Sequence, residues 1–305
     1  MIVVTAGQKY IDMDAFACMF AYRELLESQD KNVKVVTSAK PNASVTKSYK
    51  MIANSFENSL ENDSGCRFVI MDVSDPDHFE NFVDIDAIDL IFDHHPGFEE
   101  FWRDKLGGSA VIEPIGAAAT LIAREYEKVG KFSEMSQLSA EVLAVAILSN
   151  TLNFRAKIAK DEDRQMYEKL KKLFNYTNDF EAKYFSEVQH NVESDIENAL
   201  IHDSKQINPN LFIAQLEVWD PQLLFDHFET EIRKFLRQND SQVSFLNIIG
   251  FGSGYNLLVF NDTISLESIK EWFPEFMYDT KDLVARTSSV LLRKEILTRM
   301  LNSKS

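Results

Sequence analysis

Four aspartates and two histidines stand where short apolar runs end. Asp12 and Asp14 lie in Ile11-Asp-Met-Asp-Ala15, Asp72 follows Phe68-Val-Ile-Met71, and Asp93-His94-His95 follows Leu90-Ile-Phe92. Two acids one residue apart in a turn can point into one cleft, and a third can bridge two hard cations. Imidazole shifts the preference from Mg towards Mn, Co or Zn. Two cations about 3.5–4 Å apart would clamp and acidify a water and neutralise a phosphoryl group, the arrangement suited to in-line displacement at phosphorus. Each piece also has an ordinary explanation. An acid at a helix start caps it, an acid after a strand closes a turn, and of two adjacent histidines one is often buried and the other exposed. What points to one site is their common position at strand ends within one half of the chain.

The elements that would place them alternate between β-branched runs and helical-period segments, the pattern of βαβ units and a parallel sheet. Ile2-Val-Val-Thr5 reads as the first strand, Ala15 to Leu26 as the first helix, Val33 to Thr37 as the second strand. Phe68 to Met71 and Leu90 to Phe92 read as buried strands, each running into an acid. In open α/β sheets, ligands bind beyond the carboxyl ends of the strands. Glu113 to Val129 and Leu138 to Leu148 read as helices, with Gly116-Ala-Ala-Ala119 allowing close backbone approach. A charged stretch from Lys160 to about His202 has no strand-like run. Strands resume at Leu211 to Leu216, Phe245 to Ile249 and Tyr255 to Phe260, with helices near Pro221 to Arg237 and Leu266 to Trp272.

The chain has 305 residues, with 32 Lys and Arg against 48 Asp and Glu, a formal charge of −16 that repels nucleic acid and anionic lipid. Its length suits two domains. Cys18 and Cys66 have neither metal-ligand spacing nor the density of a secreted scaffold, which fits a reducing cytoplasm. The start Met1-Ile-Val-Val-Thr-Ala lacks the basic residues and apolar length of a signal peptide, and no later run is long enough to span a membrane. Ser74, Ser149 and Ser253 lie in neither a nucleophile elbow nor a P-loop. Trp102 and Trp219 are expected in core or interface packing, and His190 and His202 are expected to face water.

The sequence resembles the DHH phosphoesterase superfamily, within it the manganese-dependent (family II) inorganic pyrophosphatases and the exopolyphosphatases. Gly7-Gln-Lys-Tyr-Ile-Asp-Met-Asp-Ala15 resembles the first motif and Asp93-His-His95 the signature triplet. Glu113-Pro-Ile-Gly-Ala-Ala-Ala-Thr120 resembles the segment after it, and Ala146-Ile-Leu-Ser-Asn-Thr-Leu-Asn-Phe-Arg155 the last metal-binding segment. Asp203-Ser-Lys205, Ile213-Ala-Gln215 and Leu292-Arg-Lys294 resemble the carboxyl-terminal DHHA2 module. The glycine-plus-histidine motif of the DHHA1 branch is missing, since no histidine follows Gly250-Phe-Gly-Ser-Gly254.

The resemblance implies an α/β fold: a parallel-sheet DHH domain with helices on both faces over residues 1–190, a linker at 191–208, and a smaller α/β DHHA2-like substrate-binding domain over 209–305. It implies Asp12 on a first metal, Asp14 and His94 on a second, and Asp72 bridging both. His95 would sit on the substrate side, and Asp93 would share the acidic cleft. Lys205, Arg293 and Lys294 would grip substrate phosphates, as fits a planar fork and movable point charges. Mn2+ or Co2+ is the implied cofactor, with Mg2+ able to accompany the substrate, and a homodimer is implied.

Two positions depart from that pattern. Gln8 stands where the first-motif histidine is expected, and Asn150 stands where the last aspartate is expected. A neutral amide is a poor ligand for Mn or Co. Asp75 and His78 are candidate substitutes, although Ser74-Asp-Pro-Asp77 is also an ordinary turn. The leading reading is a metal-dependent hydrolase of a phosphoanhydride or phosphoester (pyrophosphate, short polyphosphate or a small nucleotide), using metal-bound hydroxide in an interdomain cleft. An attenuated relative that binds a phosphate-containing ligand as a sensor or regulator is the alternative, and oligonucleotide hydrolysis fits least.

Overall fold

Ile2–Thr5 is buried along three of its four residues, as expected for a strand covered on both faces, and forms β1. The computed structural model describes residues 1–61 and 65–302. After β1 come β2 (Tyr10–Ile11), α1 (Met13–Glu27), β3 (Val33–Val35), β4 (Lys40–Pro41) and the short α2 (Lys47–Lys50). Next are β5 (Arg67–Met71), β6 (Ile88–Asp93), α3 (Glu99–Leu106) and β7 (Ala110–Ile112). The helices α4 (Ala118–Lys128), α5 (Gln137–Asn150) and α6 (Asp161–Leu170) follow. The five-stranded sheet runs β3-β1-β5-β6-β7, and every neighbouring pair is parallel. From β1 the chain crosses to β3 on one side and then to β5 on the other, so the strand order reverses between β1 and β5. Ligand crevices form at such a switch point, and the residues after β1 and β5 include Asp12 and Asp72.

Helix α1 is apolar around most of its circumference and packs against α4 and α5. Its small residues Ala15, Ala17 and Ala21, like Ala140, Ala144 and Ala146 of α5, are buried and permit close helix approach. The edge-on contact of Tyr22 with Phe92, 5.3 Å between ring centres, ties α1 to β6.

A second compact unit comprises Arg155–Lys157 and Ala182–Ser305; the first comprises Met1–Phe154 and Ile158–Glu181. The remaining elements are α7 (Phe180–Ser194), α8 (Ile196–His202), β8 (Ser204–Asn208), β9 (Leu211–Val218) and α9 (Pro221–Arg237). They continue with β10 (Val243–Gly250), β11 (Tyr255–Phe260), α10 (Thr263–Trp272), β12 (Met277–Asp279), β13 (Val284–Arg286) and α11 (Arg293–Asn302). Its sheet runs β12-β13-β11-β10-β9-β8, with β9 and β10 parallel and the other pairs antiparallel. Phe245, Phe260 and Phe273 lie at its core.

Several expectations shift. Residues 191–208, expected as a linker, are the end of α7, α8 and β8. Val192, Ile196 and Leu200 are buried there and β8 pairs with β9, so this segment belongs to the second unit's core. The helix expected from Glu113 starts at Ala118, because Ala110–Ile112 extends the sheet and Ala117 keeps an extended backbone. Trp102 is buried, its indole N–H donating to the Ser74 carbonyl at 2.6 Å, whereas Trp219 is half exposed. His190 is exposed and His202 partly so.

The turn into α4 is pinned by a buried carboxylate. Asp163, in the first turn of α6, accepts from the Gly116 N–H at 3.0 Å, the Thr120 hydroxyl at 2.6 Å and the Lys160 N–H at 2.8 Å. A Cβ on Gly116 would stand 2.4 Å from Asp163 Oδ2 and 2.7 Å from Thr151 Cγ2. Gly116→Ala is therefore expected to destabilise the chain by about 1–3 kcal/mol, the usual range for overpacking. Urea unfolding checks this, and an unchanged midpoint would mean that the turn is not held by Asp163.

Candidate metal centre

The carboxyl ends of β5 and β6 and the start of α1 deliver the acids and imidazoles to one region. Asp12 caps α1, its Oδ1 accepting the Asp14 N–H at 3.1 Å and the Ala15 N–H at 3.0 Å. Asp14, one residue into the helix, turns inward and is 1% exposed. Asp72 follows β5 with φ of 58°, a left-handed conformation that Asp and Asn tolerate better than most residues, and its N–H donates to the Phe92 carbonyl at 2.7 Å.

The two histidines divide into one buried and one half exposed. His94 Nδ1 lies 2.9 Å from the Ile115 carbonyl, which can only accept, so the proton of the neutral ring sits on Nδ1. Nε2 then points its lone pair towards Asp72 Oδ1 at 3.4 Å and Asp14 Oδ2 at 3.9 Å. This pattern suits a ligand imidazole oriented by a backbone carbonyl. His95 Nδ1 lies 2.8 Å from Asp93 Oδ1, and its side chain is 48% exposed. The same Asp93 oxygen accepts the backbone N–H of His94 at 2.7 Å and of His95 at 3.2 Å. Burial alone would raise the Asp93 carboxyl, but His95, the Ser74 hydroxyl and His94 together hold it below the usual carboxylate range. Asp93 thus fixes the His95 ring and leaves Nε2 as its other working nitrogen.

Among the described residues, the ligand atoms of Asp72, His94 and His95 lie within 4.8 Å of one another. A carboxylate oxygen and imidazole nitrogens suit a divalent first-row cation, so this set fits one ion. Asp12 and Asp14 fall outside it. Burial, joined by the charge of Asp12, pushes the Asp14 carboxyl up to about 7, against the N–H groups of Ala119 and Ala118 and the Asn150 amide.

The departing positions are also placed. Asn150, at the end of α5, donates its amide to Asp14 Oδ2. Gln8 donates to the Asp77 carbonyl at 3.3 Å. Asp75 caps the turn that follows it, accepting from the Asp77 N–H at 3.0 Å, and pairs with His78 at 3.5 Å. Those two residues therefore have a local structural account.

In the second unit, the Arg293 guanidinium is held by the Asp203 carboxylate and carbonyl, each at 2.8 Å, and also reaches the Ile213 carbonyl at 3.4 Å. Lys205 stands opposite Ile213 in the β8–β9 ladder, and Lys294 follows Arg293 at the start of α11. A buried amide ladder sets this segment. Gln215 accepts the Arg293 backbone N–H at 2.8 Å, Asn247 donates to Gln215, and Asn256 donates to Asn247 at 2.6 Å. Both asparagines also donate to the Leu291 carbonyl.

Reading the sequence missed Asp163, Cys18 and the amide ladder. The acidic run Asp161-Glu-Asp163 is a visible helix-start signal, but its partner Gly116 lies 47 positions away. Cys18 stands one turn after Asp14, and its thiol, raised by burial and by the charges of Asp14, Asp72 and Asp12, stays protonated.

Comparison with known proteins follows the same direction. The chain is similar to the "probable manganese-dependent inorganic pyrophosphatase" of Listeria welshimeri, 23% identical over 239 residues, covering 76% of each chain. A protein of the same name from Listeria monocytogenes is 24% identical over 248 residues, again covering 76% of each. Among solved structures, the Methanococcus jannaschii "putative family II inorganic pyrophosphatase" aligns with a TM-score of 0.70 at 16% identity, over 99% of both chains. An exopolyphosphatase-related protein from Bacteroides fragilis gives 0.51 at 16% identity, over 99% of this chain and 91% of that one. No protein-family model matches. The chain resembles the manganese-dependent pyrophosphatases in sequence at low identity, and it has the α/β fold of the Methanococcus protein.

Asp72→Asn keeps the left-handed backbone and removes the carboxylate charge. The expected result is loss of Mn2+ binding by calorimetry with the thermal midpoint nearly unchanged. Undiminished binding would remove Asp72 from the centre.

Proposed function

We propose that this chain is a divalent-metal-dependent hydrolase of small phosphoanhydrides or phosphoesters, with pyrophosphate and short polyphosphate as the leading substrates. The observation that carries this reading is the convergence of Asp72, His94 and His95 beyond the carboxyl ends of parallel strands. The curated relatives are named as pyrophosphatases, which supports the substrate class.

In this reading Asp72 Oδ1 and His94 Nε2 hold the cation, and the Ile115 carbonyl keeps His94 in the ligating tautomer. When bound, a divalent cation acidifies water and neutralises phosphoryl charge. Asp93 holds His95 Nδ1, so Nε2 can give or take a proton at the substrate oxygen. Lys205, Arg293 and Lys294 supply positive charge for phosphate oxygens, Arg293 from a fixed position because Asp203 restrains its guanidinium. Asp12 keeps α1 in register with the site by capping it.

One observation favours a second reading. The Asn150 amide occupies an acceptor of Asp14, as it would in a chain that binds a phosphate-containing ligand and turns it over slowly. Phosphate release from pyrophosphate, short polyphosphate and small nucleotides with Mn2+, Co2+ or Mg2+ separates the two. Metal-dependent release abolished by Asp72→Asn is the expected outcome. Saturable binding of those compounds with no release under any metal would contradict hydrolysis and favour the sensor.

A further inference from the structure

How many cations the chain holds, given the metal-dependent reading above, depends on Asp14. A carboxylate offers about four acceptor sites, two on each oxygen. On Asp14, Oδ2 takes the Ala118 N–H at 2.7 Å and the Asn150 amide, while Oδ1 takes the Ala119 N–H at 2.8 Å and faces the Cys18 thiol at 3.7 Å. The two N–H groups belong to the first turn of α4, where the helix leaves its backbone donors without partners of its own and favours negative charge. The acceptor capacity of Asp14 is thus filled from within the protein.

The backbone that carries Asn150 is held in place. It is the last residue of α5, and the chain beyond it is tied back onto the helix. Thr151 donates its hydroxyl to the Ile147 carbonyl at 2.6 Å, and the Asn153 N–H donates to the Leu148 carbonyl at 2.8 Å. Leu152, Asn153 and Phe154 all take left-handed backbone conformations, with φ of 50°, 54° and 60°. An aspartate at 150 would set one carboxylate against another, a contact that needs a cation or a proton between them. The amide meets Asp14 with an N–H and needs neither. Gln8 brings a neutral amide in place of an imidazole, a poor ligand for Mn or Co, and its Nε2 donates to the Asp77 carbonyl.

We infer that this chain holds a single divalent cation, on Asp72 and His94, and that Asn150, together with the Ala118 and Ala119 N–H groups, keeps Asp14 from ligating that ion or a neighbouring one. The donors around Asp14 keep that carboxylate buried and oriented beside the one occupied position.

Metal-depleted full-length protein, reloaded with Mn2+ and freed of excess by gel filtration, tests this through metal content and electron paramagnetic resonance. Wild type is expected to carry about one Mn2+ per chain with the hyperfine-resolved signal of an isolated ion. Asn150→Asp is expected to carry about two, with an exchange-coupled signal from neighbouring ions. Asp72→Asn should lose the wild-type ion. A coupled pair in wild type would overturn the single-ion inference and leave the hydrolase reading standing, whereas no ion in wild type at saturating Mn2+ would overturn both. The wild-type count decides the matter even if Asn150→Asp fails to fold.

Discussion

A carboxylate buried out of contact with water has to be compensated, and the first unit is arranged around that requirement at Asp14. The start of α1 carries the residue, the first turn of α4 points its N–H groups at it, and the end of α5 brings the Asn150 amide. Leaving such a group uncompensated would cost several kcal/mol, so the relative positions of the three helices are constrained by one side chain as well as by their alanine-lined packing. Asp163 extends the constraint by pinning the turn before α4 through Gly116. Polar satisfaction and close packing therefore specify the same geometry.

The region around Asp72, His94 and His95 is governed by different chemistry. Around Asp14 donors meet acceptors. Here the Ile115 carbonyl orients His94 so that Nε2 faces the Asp72 carboxylate. Acceptor facing acceptor is how a cation site looks when its ligands are set by surrounding hydrogen bonds. The left-handed backbone at Asp72 is the local strain that accompanies this placement. Asp93 does the corresponding work for His95 by taking its ring N–H and two backbone N–H groups on a single oxygen.

The buried strands were legible because parallel strands covered on both faces read as continuous apolar runs. Ile2–Thr5 and Arg67–Met71 sit where their composition places them, and the acids at the ends of β5 and β6 follow directly. Polar or very short strands carry no such signal, which is why β7 and β8 escaped notice, and α3 is a charged surface helix with Trp102 as its buried anchor. The chemistry divides in the same way. Residue types and strand-end positions could suggest a metal site, whereas the contact of Asn150 with Asp14 spans 136 positions and shows only in the folded chain. The basic residues near the carboxyl terminus were visible, but the Gln215, Asn247 and Asn256 ladder that sets Arg293 was hidden among apolar strand residues. No helix of the described residues is long and apolar enough to cross a membrane, in keeping with the apolar runs of the sequence.

The most direct test of the central claim is anomalous scattering at the manganese edge from crystals of the full chain grown with Mn2+. The account predicts a peak bonded to Asp72 and His94. A peak on Asp12 and Asp14 without one at Asp72 and His94, or no peak near these residues at saturating metal, would contradict it.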